Sequence, residues 1–100
     1  MPSPSLPDLL RALEGLSARM RLAAEAGDWP AVEAMQGTCS ALIGRVRSAG
    51  RHTLLSPAQH DEKQRIMLAL LHDDARIRQL AAHLPAADAT PAAPRSDWLH

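Results

Sequence analysis

A chain of 100 residues with 11 acidic and 11 basic side chains holds one domain at most and presents no basic stripe for nucleic acid. It has no Phe and no Tyr but is rich in Leu and Ala, a composition that favours helices over strands and an all-α fold. Its single cysteine, Cys39, excludes an internal disulfide and suits a reducing cytoplasm.

Met1 to Pro4 has neither the charged nor the apolar region of a secretory signal, and no apolar run approaches the ~20 residues of a membrane span. Residues 1–5 are expected to form a flexible arm. The first helix starts at Ser5-Leu6-Pro7-Asp8, where Ser caps, Pro fits the first turn and Asp favours the positive helix end. Leu6, Leu10, Leu13, Ser17, Met20 and Ala24 share one face, flanked by Leu9 and Leu16. Gly27 supplies the left-handed stop.

Asp28 caps the second helix, with Trp29 and Pro30 in its first turn. Its apolar face runs Trp29, Val32, Met35, Cys39, Leu42, Ile43 and Val46. Gly37 and Gly44 lie inside it, and each costs about 1 kcal/mol relative to Ala. Either this helix is the weakest element or its glycines admit a close backbone approach. The pattern dissolves over Ser48-Ala49-Gly50-Arg51-His52, which reads as the loop.

The third helix has the clearest start: Ser56-Pro57-Ala58-Gln59 fits a capping box with Pro at the first position. Ile66, Leu70, Ile77, Leu80 and Leu84 form its stripe. Asp61 with Arg65 and Asp74 with Arg78 read as acid-before-base pairs on exposed faces. Pro85 ends the pattern, so residues 6–84 read as the helical domain. Residues 85–100 are rich in Pro and Ala and are expected to be a disordered or weakly docked tail. Trp98 and Leu99, near its end, have the chemistry to dock.

No catalytic or metal constellation appears. The five His, at 52, 60, 72, 83 and 100, form no zinc motif with each other or with Cys39. His72-Asp73-Asp74 diverge by about 100° per residue on a helix and cannot converge on one ion. No metal, cofactor or enzymatic activity is therefore expected. Cys39 reads as packing, and Trp29 as a cover for the loop and the end of the neighbouring helix. Asp73 falls near the centre of the third stripe. A carboxylate there is either a polar register point for a partner helix or a sign that the seam is half open, and the half-open seam is preferred.

The segment Ile66-Met67-Leu68-Ala69-Leu70-Leu71 has more apolar surface than one seam uses. In a chain of three helices that surplus points to a partner, a second copy or the tail. Ile66, Met67, Leu68, Leu70, Leu71, Ile77 and Leu80 are the expected partner-binding residues. The second and third helices are expected to pair antiparallel, with the first packed on them, as a three-helix bundle or helical hairpin. The flank of the third helix would then receive an amphipathic client helix. Trp98 and Leu99 would be an autoinhibitory competitor for that surface.

The order of Ala26-Gly27-Asp28-Trp29, Val32, Leu42-Ile43, Val46, Leu54-Leu55-Ser56-Pro57 and the run Ile66, Leu70, Asp73, Ile77, Leu80 resembles the FliT-type flagellar export chaperones. The resemblance covers roughly residues 6 to 84, and Gly-Asp-Trp between two helices is its most specific part. Two departures stand out: Thr38-Cys39 replaces a Glu-Arg pair in the second helix, and the tail is short and Pro-rich beside the family's C-terminal helix.

The resemblance implies a cytoplasmic chaperone of bacterial flagellum biogenesis and type III secretion. Such a protein holds the filament-cap protein FliD before export. It also implies contacts with export-ATPase components and the regulator FlhDC, and a C-terminal segment that covers the binding surface. The homodimer expectation comes from the surplus apolar surface. Two alternatives stand beside this reading. One is a small all-α enzyme like the AroQ-type chorismate mutases, for which the stripes assemble no cationic cluster around Lys63. The other is a helical dimer with no client.

Overall fold

The computed structural model describes residues 4–84. Three helices follow in order: α1 Leu6–Glu25, α2 Trp29–Gly50 and α3 Pro57–Ala81. The fold is all-α, as the composition and periodicities indicate.

The helix starts are set by side chains seen in the sequence. Ser5 Oγ accepts from the Asp8 amide at 3.3 Å while Asp8 accepts from the Ser5 amide at 3.4 Å, a full capping box. Asp28 accepts from the Ala31 amide at 3.3 Å. The box at α3 closes with Ser56 accepting from Gln59 at 3.2 Å and the Gln59 side chain accepting from Ser56 at 2.9 Å. Gly27 has φ 76°, a left-handed conformation open to Gly at little cost, and it lets α2 begin two residues later.

Helix α2 runs further than expected. Ser48, Ala49 and Gly50 are helical. Ala49 packs against the core, and the carbonyls at the helix end find donors. Arg51 and His52 amides bond Ser48 and Ala49, and Thr53 Oγ1 donates to the Ala49 carbonyl at 2.7 Å. Packing and capping outweigh the weak propensity of Ser and Gly.

The helices are arranged differently from the expected α2–α3 pair. Helix α1 is the middle element and packs against both others, while α2 and α3 make little backbone contact. The cause is the breadth of the α1 apolar arc. Leu6, Leu9, Leu10, Leu13, Leu16, Ser17, Met20 and Ala24 are all buried, whereas α2 buries only Val32, Cys39 and Ile43. A wide arc can serve two neighbours, and a narrow seam serves one. Ion pairs from Glu14 to Arg65 and from Arg21 to Asp73 run in the same sense along α1 and α3. Those two helices are therefore parallel, with α2 antiparallel to them.

Asp73 is the polar lock of the α1–α3 seam. Ser17 Oγ donates to one of its carboxylate oxygens at 2.8 Å, and Arg21 Nε donates to the other at 2.8 Å. Asp73 is buried, so the half-open seam preferred from sequence is replaced by a register point, and it lies within the chain. The two expected surface pairs also change. Asp74 does bond Arg78 at 2.9 Å, but Asp74 is buried. Arg65 turns to Glu62 and, at 2.7 Å, to Glu14 on α1. A Cβ placed on Gly37 or Gly44 would meet open space, so close backbone approach is not why these glycines are there.

Candidate partner-binding groove

The surplus residues of α3 divide into two sets. Ile66, Leu70 and Ile77 are in the core, at 0%, 1% and 3% exposure. Met67 and Leu80 are half-buried against that core. Leu68 and Leu71 are exposed at 67% and 47%. At about 100° per residue, the order around α3 on this side is Leu70, Lys63, Met67, Leu71, Leu68. Met67, Leu71 and Leu68 thus carry apolar surface outward from the core, with Lys63 at its inner edge and His60 and Gln64 interspersed.

Because α2 and α3 lean on α1 and hardly on each other, a groove of about 440 Å³ remains between them. Leu13 of α1 and Leu70 form its floor. Ile43, Val46 and Gly50 form the α2 wall, and Met67 forms the α3 wall. Gly50 contributes no side chain to fill the space. A second hollow runs along the outer side of α3 over His60, Gln64 and Leu68, and it shares Lys63 and Met67 with the groove. The two hollows thus adjoin at Lys63 and Met67, and the outer one is lined by polar as well as apolar side chains.

The groove rim is cationic. Arg47 and Arg51 project from the end of α2 and Lys63 from α3. Sequence reasoning missed this cluster, because its members lie on different helices. The signal was present all the same: from residue 34 to residue 60 there is no Asp or Glu, while Arg45, Arg47 and Arg51 fall within it. Leu54, in the α2–α3 loop at 99% exposure, was also missed as exposed apolar surface.

Cys39 is buried, and burial together with the nearby Asp74 carboxylate raises its thiol to about 11. It stays protonated near neutral pH and is a packing residue. Trp29 is half-buried against the core at the start of α2. Arg21 is held in its charged form by Glu25 and Asp73, and Arg65 by Glu62 and Glu14. Arg65 in turn lowers the Glu62 carboxyl. These arginines are tied to the chain's own carboxylates. Among the described residues, no group of three or more His, Cys, Asp or Glu is placed to hold a metal, and no helix is long and apolar enough to cross a membrane. Trp98 and Leu99 lie outside the described residues.

The fold is thus a helical one that leaves an apolar groove open along one flank. Residues 7–86 match the family model described as flagellar protein FliT, and the chain belongs to that family, whose role is flagellar export chaperoning. No curated protein and no solved structure matches the chain.

Proposed function

We propose that this chain is a cytoplasmic chaperone of flagellar type III export that binds the filament-cap protein FliD and keeps it from assembling early. The observation that carries this reading is the apolar surface running from the groove floor over Met67 to Leu71 and Leu68, in a member of the FliT family. An amphipathic client helix lays its apolar face there. Ile66, Leu70 and Ile77 support the surface from beneath, and Met67, Leu68 and Leu71 meet the client; Leu80, half-buried against the core, falls on the other side of α3 and is not part of this face. Binding needs no chemistry. Calorimetric titration of the full chain with purified FliD tests the reading, and absence of binding at micromolar concentrations ends it.

Further parts of the reading stand on the same ground. Trp98 and Leu99 occupy the groove when no client is bound, which lowers apparent affinity by the fraction of time they are docked. The chain forms a homodimer through the remaining α3 surface. Export-ATPase components and FlhDC are additional partners, each checked by the same titration.

One observation favours a second reading. Arg47, Arg51 and Lys63 supply, across two helices, a cationic cluster of the kind a dicarboxylate-binding enzyme of the chorismate-mutase type would need. The groove is open along its length, and the family match weighs toward a macromolecular client. A turnover assay on chorismate separates the two.

A further inference from the structure

Taking the groove as the client site, we propose that it selects for charge as well as for apolar shape: its occupant is an amphipathic helix whose leucine-type stripe is flanked by carboxylates. This rests on the client-binding reading and adds the chemistry of the client. Three observations support it. The groove is apolar, with half-buried Val46 and Met67 on its walls over the buried Leu13 and Leu70, and suits leucine side chains rather than phosphates. The rim above it carries Arg51 and Lys63 on opposite walls, with Arg47 beside Arg51. Among the described residues, Arg51 and Lys63 have no ion-pair partner in the chain.

The acids nearest in sequence do not answer this charge. Asp61 falls on the far side of α3 by helical order, Glu62 is engaged by Arg65, and Asp74, about three turns on, is engaged by Arg78. Cations are favoured at a helix C-terminus, which accounts for Arg47 and Arg51 on their own. It does not account for Lys63, which sits in the second turn of α3, toward the positive end, and is half-buried along the groove. A half-buried lysine in such a place can lay its stem on apolar surface and keep its ammonium in water. The chain as a whole has net charge +0, so the rim is a local excess.

Two synthetic amphipathic helices of about five turns, with the same leucine stripe and either Glu or Lys on both flanks, are titrated into the full chain by calorimetry. The glutamate helix binds about tenfold tighter at low salt, and the difference shrinks as salt shortens the Debye length. Arg51→Glu combined with Lys63→Glu, with helicity checked by circular dichroism, removes or reverses the preference. Equal binding of the two helices, preference for the lysine helix, or binding of neither overturns the proposal. The FliD titration is separate: FliD binding alongside equal peptide affinities discards the charge rule and keeps the client, and the converse result discards FliD and keeps the charge rule.

Discussion

At the residue scale the informative side chains are two neighbouring carboxylates. Asp73 was legible as an anomaly, because helical spacing put it among Leu70 and Ile77, but its partners lie more than fifty residues away on α1. Periodicity assigns a face and is silent about what that face meets. Removing the carboxylate leaves Ser17 without its acceptor and Arg21 with Glu25 alone, so Asp73→Ala should cost about 2 kcal/mol, read from the urea midpoint. Asp74 has one buried oxygen with no partner, and its charge adds to burial in raising the Cys39 thiol. A thiol reagent should therefore modify Cys39 slowly in the native protein and quickly in urea. The folded state holds the thiol neutral up to about 11 against an ordinary 9.0. Its contribution to stability is fully present below pH 9 and is lost as pH rises from there toward 11, because the unfolded chain releases its proton first. A Cys39→Ala comparison across that window isolates the effect.

At the scale of elements, caps were read well and ends less well. Ser5, Asp28, Ser56 and Gly27 all mark their boundaries because their effect is local: each acts on backbone groups within one turn. The end of α2 was misplaced because Ala49 packs against residues remote in sequence, and a hydroxyl at Thr53 caps the last turn. The same helix shows which of two readings of its glycines survives. Gly37 and Gly44 are exposed and face open space, so they weaken α2 without serving a contact. Gly37→Ala and Gly44→Ala should each add about 0.5–1 kcal/mol, or a few degrees in the thermal midpoint of a domain this size.

At the scale of the whole molecule, fold class followed from composition and three periodic segments, whereas the arrangement of helices did not. An apolar stripe on each of three helices is compatible with any of them at the centre. The deciding quantity is arc width, visible as Leu9 and Leu16 flanking the main stripe of α1 but not decisive until packing is known. The division of α3 into core and surface residues makes a prediction that separates stability from binding. Ile66→Ala empties a fully buried site and should cost about 2–5 kcal/mol in urea unfolding. Leu68→Glu and Leu71→Glu change exposed positions, should stay within about 0.5 kcal/mol of the parent, and should abolish FliD binding by calorimetry. If Leu68→Glu and Leu71→Glu bind as the parent does, the client does not touch this face.

The central place of α1 has a consequence for how the protein is made. The spine on which both flanks rest is translated first, so α2 emerges beside it and can zip onto it through the three-residue corner Ala26-Gly27-Asp28 before α3 is complete. Only the last helix must search for a distant landing place, and Asp73 tells it when the register is right. The trough between the flanks stays open because α2 and α3 each rest on the spine and hardly on each other.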